Sequence, residues 1–301
     1  MRAFKKSLAR LFNNINKEYF YKKPYYRLKD IYQELKREKN LFILFDEKEN
    51  ILGIGKVKKL DWDKKVFGFA CGRIEYLIFR KDTDNLLKEF FIKEILEINK
   101  NKKFLDISID EKDTDLRKIL IKLGFKEMVK YVTYFIRLPI KFNDISIIIE
   151  PVKKNELKEL ERISANSFLY TRFYQDKNFK RELVKKFYQK WVRSSFNNKN
   201  HQIFVSKINN KPVGFIDCQS LKLSKKKIGI IDLIAVKKEY QGRGIGKSLV
   251  KKGLEYFQKK KIKEVYVETE KENLSALRLY KSLGMKIIGK RITFHFWYGK
   301  R

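Results

Sequence analysis

The stretch Gln241-Gly-Arg-Gly-Ile-Gly-Lys247 places glycine at every second position. It lies between an apolar strand ending Asp232-Leu-Ile-Ala-Val236 and a helical stripe of Leu249, Val250, Leu254 and Phe257. Such a turn leaves the first N–H groups of the helix without partners, and the helix dipole adds positive potential there. Together they make a seat for phosphate. Gly242, Gly244 and Gly246 remove Cβ atoms where a diphosphate has to approach the main chain. Dinucleotide-binding folds use a related turn, but near their first strand and with an acidic residue closing the next one.

A second set follows in Asn273-x-x-Ala276-x-x-x-Tyr280-x-x-Leu283-Gly284. A phenol of reference pKa about 10 is protonated at neutral pH and can give its proton to a leaving group. Tyr280 also fits an ordinary inward stripe with Ala276, Leu279 and Leu283, where a tyrosine is core with a satisfied hydroxyl. Asn273 stands where a helix N-cap belongs. Two carboxylates are candidates for a base, Asp232 and, at the end of the strand Lys263–Glu270, Glu270. Each is equally at home in a structural ion pair. Thr171, Arg172 and Tyr174 form a third set, in which the guanidinium could take a phosphate in bidentate fashion or make a surface salt bridge.

The elements that must position these residues occur twice. Lys103–Asp110 followed by Asp113–Phe125 matches Lys263–Met285 at a constant offset of 160 residues, with Leu123-Gly124 on Leu283-Gly284. Both copies run into a long aromatic and β-branched strand, Tyr131–Leu138 and Arg291–Tyr298. The chemistry is not repeated. The phosphate turn becomes Lys81-Asp-Thr-Asp-Asn-Leu86, Asn273 becomes Asp113, and Tyr280 becomes Leu120. The first half therefore reads as a scaffold, with a hinge near Pro139–Ser146.

A chain of 301 residues with 43% hydrophobic residues can bury two cores. Two histidines and two cysteines, Cys71 and Cys218, argue against a histidine triad or a multi-histidine metal site and favour a reducing compartment. The formal charge of +35 favours polyanionic partners, yet the lysines are spread through both halves, so no dedicated nucleic-acid surface is expected. No apolar run is long enough to span a bilayer. Phe4, Leu8, Leu11, Phe12 and Ile15 share one face of a basic helix, which packs on the protein body or touches an anionic membrane peripherally.

The Gln241–Gly246 and Asn273–Gly284 motifs, in that order, resemble the acyl-CoA-binding core of the GNAT acetyltransferase superfamily. The fold class expected is α/β with α+β character: a tandem GNAT-like architecture with a mixed central sheet flanked by helices. Residues 1–140 form a degenerate GNAT-like domain and residues 146–301 the active, catalytic GNAT N-acetyltransferase domain. The resemblance implies acetyl-CoA as co-substrate and no metal, with Ile234, Ala235, Val236, Gln241, Gly242, Arg243, Gly244, Ile245, Gly246, Lys247 and Asn273 holding the coenzyme. It makes Tyr280 the general acid; the commonest base position falls on Ile230, which cannot serve, so the base is Asp232, with Glu270 as runner-up and a chain of waters as the alternative to both. The oxyanion donor is expected at a backbone N–H near Ala235-Val236, beside a bulge.

Leu60–Gly68 with Gly72-Arg-Ile74, and Ser167–Asp176, are similar to signatures of the TDP-fucosamine N-acetyltransferase group, which acetylates a TDP-linked 4-amino-4,6-dideoxy sugar for surface polysaccharide. Val213-Gly-Phe-Ile216 fits as well. That resemblance implies a cytoplasmic enzyme, open to homodimer formation, with Thr171, Arg172 and Tyr174 at the nucleotide sugar. It departs from the group at Thr269-Glu270 and Val66-Phe67, and residues 1–50 have no counterpart. Two other functions fit the same coenzyme site: acetylation of a protein amine or polyamine, and non-enzymatic binding of CoA, RNA or membrane.

Overall fold

The computed structural model describes residues 7, 8, 11, 28–38, 40–140, 147–223 and 226–299. The chain forms two compact units, residues Met1–Lys130 with Lys290–Arg301, and residues Tyr131–Gly289. The expected boundary at 140–146 follows the chain, whereas compactness does not. Residues 131–137 of the first half pair with a strand of the second unit, and residues 291–297 of the second half pair with a strand of the first. Each half thus completes its sheet with the other half's last strand.

The first unit contains α1 (Leu28–Leu35), β1 (Phe42–Phe45), β2 (Ile51–Lys59), α2 (Asp61–Phe67), β3 (Cys71–Phe79), α3 (Asn85–Ile98), β4 (Phe104–Asp110) and α4 (Thr114–Lys122). Its strands run in the order β1-β2-β3-β4, with β3 and β4 parallel and the other pairs antiparallel. Residues 291–297 close the far side against β4, and Ile292 and Phe294 join the core of Phe91, Ile92 and Ile95 from α3. Of the expected N-terminal helix, only residues 7, 8 and 11 lie within the described residues. Leu8 and Leu11 are buried in a cluster with Ile31, Leu35, Ile51 and Ile54, so those two side chains pack inward.

Arg73, in the motif Gly72-Arg-Ile74, is bound here to Asp106. Its Nε and Nη2 donate to the two carboxylate oxygens at 2.6 and 2.8 Å. The Asp106 side chain is only 2% exposed. Removing the guanidinium takes two charge-assisted hydrogen bonds from a buried carboxylate. Arg73→Met is expected to cost about 3 kcal/mol. The thermal midpoint should fall by roughly 6–12 °C; an unchanged midpoint would show the pair to be dispensable.

The second unit begins within β5 (Lys126–Arg137) and continues through β6 (Ile149–Pro151), α5 (Leu157–Ser167), α6 (Arg172–Gln175), α7 (Arg181–Phe196), β7 (His201–Ile208), β8 (Lys211–Leu223), β9 (Lys226–Val236), α8 (Ile245–Lys259), β10 (Glu264–Glu270) and α9 (Leu274–Ser282). The strand order is β5-β10-β9-β8-β7-β6, antiparallel except for β10 and β9. Leu249, Val250, Leu254 and Phe257 of α8 bury the predicted stripe against Ile216, Cys218 and Ile231. A Cβ on Gly253 would lie 2.9 Å from Cys218 Sγ, so glycine lets helix and sheet approach closely.

The 160-residue repeat is structural. β4 at 104–110 answers β10 at 264–270, α4 at 114–122 answers α9 at 274–282, and β5 at 126–137 answers β11 (Lys286–Trp297). Asp113 and Asn273 cap equivalent helices, accepting from Leu116 N at 3.0 Å and Ala276 N at 3.2 Å. Gly124 and Gly284 end them in the left-handed region, at φ +91° and +75°.

Candidate active site

The N-terminus of α8 is open. Its cap is Gly244, at φ +78° and ψ −6°, and the cap position makes no side-chain hydrogen bond to the first turn. Gly242 has φ +77°. A Cβ at either position would meet nothing within 4 Å, so the turn faces free space as well as adopting a conformation that favours glycine. Gly246 differs, since a Cβ there would make ordinary van der Waals contact with Leu279 of α9 at 3.5 Å. Gln241 ties the turn to the strand by donating from Nε2 to Val236 O at 2.9 Å. Ile245 is buried and anchors the helix, whereas Arg243 and Lys247 are exposed. The Arg243 guanidinium stands 5.4 Å from the Tyr240 ring centre.

The equivalent helix of the first unit shows what fills such a seat. Asp84 caps α3, accepting from Leu86 N at 2.6 Å, and Asp82 pairs with Arg80. A carboxylate already occupies the place where an anion would bind. The two helix starts are alike in fold and opposite in electrostatics.

Beside the open turn, β9 and β10 separate. Their parallel pairing covers only Gly229–Ile231 against Val265–Val267. Beyond it Ile234, Ala235 and Val236 pair, among the described residues, with β8 alone, leaving an edge that offers main-chain groups to an extended ligand. The bulge lies at Asp232, upstream of the expected Ala235-Val236. Ile231 pairs with Cys218 and Leu233 with Asp217, so Asp232 is the extra residue. It shifts the strand's phase: Ile231 faces α8 before the bulge, and Ile234 and Val236 after it.

Tyr280 is 1% exposed and its ring lies 5.5 Å from that of Tyr134. Among the described residues its hydroxyl makes no hydrogen bond. Burial, then the charge of Glu270, then Tyr134, push its pKa well above the ordinary phenol value. The proton is therefore held at neutral pH. Glu270, 9% exposed, is one of the charges that act on this tyrosine. Asn273 commits Oδ1 to the helix cap and to Ser275 Oγ at 2.9 Å, leaving its amide N–H groups as donors.

Asp232 is half-buried and accepts from Trp191 Nε1 of α7 at 2.9 Å. It also joins a group that sequence reasoning did not single out, in which donor atoms of His201, Asp217 and Asp232 lie within 4.8 Å of one another. The available signal was Asp217 itself, a charge inside the apolar run Val213–Cys218. Thr171 is buried in the α6 turn, donating to Phe168 O at 3.1 Å. Arg172 lies 4.0 Å from the Phe173 ring, and Arg181, which sequence reasoning also missed, lies 4.0 Å from that of Tyr174. Two cations thus flank the segment expected to meet a diphosphate.

Residues 163–285 match the acetyltransferase (GNAT) family model, and the fold of the chain is a tandem GNAT architecture. The chain is 27% identical over 150 residues to the spore coat polysaccharide biosynthesis protein SpsD of Bacillus subtilis, covering 50% of each chain. An uncharacterized N-acetyltransferase of Methanocaldococcus jannaschii is 30% identical, over 45% of this chain and 62% of its own length. The chain thus spans about half to three-fifths of these curated relatives. N-alpha-acetyltransferase 30 of Saccharomyces cerevisiae is 37% identical over 76 residues, 25% of this chain and 43% of its own.

Among solved structures, a GCN5-related N-acetyltransferase from Sphaerobacter thermophilus has a TM-score of 0.64 at 12% identity, covering 99% of this chain and 94% of its own. A tandem GNAT protein from the clavulanic acid biosynthesis pathway has a TM-score of 0.56 at 9% identity, covering 98% and 96%. These two establish the fold. No helix of the described residues is long and apolar enough to cross a membrane.

Proposed function

We propose that the second unit transfers the acetyl group of acetyl-CoA to the amine of a nucleotide-linked amino sugar, of the TDP-4-amino-4,6-dideoxyhexose type, in a ternary complex. The observation that carries the coenzyme half of this reading is the uncapped start of α8 at Gly244, set against the carboxylate-capped start of α3. Backbone N–H groups of residues 244–247 take the diphosphate, with Arg243 and Lys247 at hand. The free edge of β9 over Ile234–Val236 pairs with the amides of the pantetheine arm, helped by the Asn273 amide.

Acetyl-CoA supplies an acyl thioester, and the protein supplies placement and protons. Holding both reactants in one site removes much of the entropic barrier. A main-chain N–H at the opened end of β9 donates to the developing oxyanion. Tyr280, kept protonated by its surroundings, donates toward sulfur. Asp232 receives the amine. The acceptor class rests on the resemblance of residues 167–176, on the polysaccharide-related relative, and on Arg172 and Arg181 beside them.

A second reading, acetylation of a protein N-terminus, has one observation in its favour: the 37% identity to an N-alpha-acetyltransferase over 76 residues. A panel of TDP-4-amino sugars, peptides and spermidine, incubated with acetyl-CoA and analysed by mass spectrometry, separates the two. The proposal expects acetylated nucleotide sugar as the main product; acetylated peptide alone would replace it with the second reading.

A further inference from the structure

His201 opens β7, Asp217 lies inside β8, and Asp232 is the bulged residue of β9. Strand pairing brings the three side chains together on the side from which α7 reaches Asp232. His201 Nδ1 lies 2.9 and 3.1 Å from the two oxygens of Asp217. The Asp217 side chain is 0% exposed and that of His201 6%. A carboxylate so enclosed demands a matching donor, and the imidazole N–H provides it. Trp191 fixes one oxygen of Asp232. His201 and Asp232 are both half-buried residues, and Asp217 is the buried member between them in the group.

A bare carboxylate, of reference pKa about 4, is badly matched to an ammonium of about 8–10, whereas imidazole lies between them. Burial works against the charged imidazolium. The hydrogen bond and charge of Asp217, with the charge of Asp232, outweigh it, so His201 titrates above its ordinary value of 6.5. The charges acting on it come from Asp217 on β8 and Asp232 on β9; α7 brings the uncharged indole of Trp191.

We propose that His201, locked by Asp217, takes up through Asp232 the proton that the acceptor ammonium must lose. This rests on the transferase reading above. The ammonium gives a proton to Asp232, which passes it to the imidazole, the ligand atoms of the two residues lying within 4.8 Å of each other. The freed lone pair forms the N–C bond, and the C–S bond breaks with its electron pair on sulfur. Tyr280 protonates the sulfur, and the second amine proton restores Tyr280. One proton per turnover leaves to solvent from His201. His201 is a positioning residue in this scheme, acting through Asp232.

Only neutral His201 can accept, so kcat/KM should rise with pH through its pKa and be lost below it. The test compares pH profiles of acetyl transfer to TDP-4-amino-4,6-dideoxygalactose, or to peptide or spermidine where the panel selects one of those. In wild type the acid limb should lie above pH 6.5. In His201→Gln it should move toward the carboxylate range, with turnover at pH 7.5 reduced about tenfold or more and acetyl-CoA affinity unchanged. NMR reads the coupling without activity: the chain has two histidines, so His201→Gln assigns the signals, and Asp232→Asn should lower the His201 pKa. An active wild type whose limb stays put in His201→Gln overturns this role alone. A His201 pKa indifferent to Asp232→Asn overturns it as well. A wild type that acetylates no amine while binding acetyl-CoA overturns the transferase reading, and this role with it.

Discussion

Tyr280→Phe is expected to lower kcat by tenfold or more while leaving acetyl-CoA affinity nearly unchanged. The substitution removes one oxygen and keeps the ring that packs 5.5 Å from Tyr134. The hydroxyl has no hydrogen-bond partner among the described residues, so its loss breaks no bond that holds the fold. A tyrosine that served only as core, with a satisfied hydroxyl, would show the opposite pattern: stability down by about 1 kcal/mol and turnover intact. Measuring kcat and the thermal midpoint on the same preparation separates the two roles. The surroundings that keep the phenol protonated also make it a weak acid, so its proton moves only as charge builds on sulfur. Equal turnover in wild type and variant would remove Tyr280 from the mechanism.

Gly244→Val should weaken acetyl-CoA binding about thirtyfold or more, corresponding to roughly 2 kcal/mol. Two causes combine. A β-branched residue at φ +78° carries a backbone penalty of about 1–2 kcal/mol. Its side chain also stands in the open space that the diphosphate needs, where nothing of the protein lies within 4 Å. Gly124→Val is the matched control, because Gly124 has φ +91° in the first unit and no part in the seat. Both variants should lose comparable stability, and only Gly244→Val should lose coenzyme affinity. If Gly124→Val weakened binding as much, the effect at Gly244 would be strain alone.

Much of the fold was legible in the sequence because its signals are local. Hydrophobic period and helix-end chemistry placed α9 with Asn273 as its cap, and the repeat placed α4; the structure adds Asp113 as the second cap and Gly124 and Gly284 as left-handed ends. The fixed offset of 160 residues carried over to β4 and β10 and to β5 and β11. The glycine turn needed only the expectation that the helix after it begins uncapped.

What escaped depends on which strands lie beside one another. The bulge at Asp232 exists only relative to Asp217 and Cys218 on β8. His201 acquires meaning from Asp217, sixteen residues later and across a strand pair. The exchange of last strands between the units is likewise a matter of pairing, and no local propensity distinguishes a strand that stays with its half from one that leaves it. Arg73 illustrates the converse. The motif Gly72-Arg-Ile74 carried no role for its arginine, and strand pairing ties that side chain to Asp106.

The most direct measurement is titration calorimetry of the whole chain with acetyl-CoA. One coenzyme per chain is expected, because the start of α8 is open while Asp84 fills the corresponding start of α3. No heat of association in folded protein would contradict the seat at residues 241–247. Two equivalents would contradict the assignment of the first unit as scaffold.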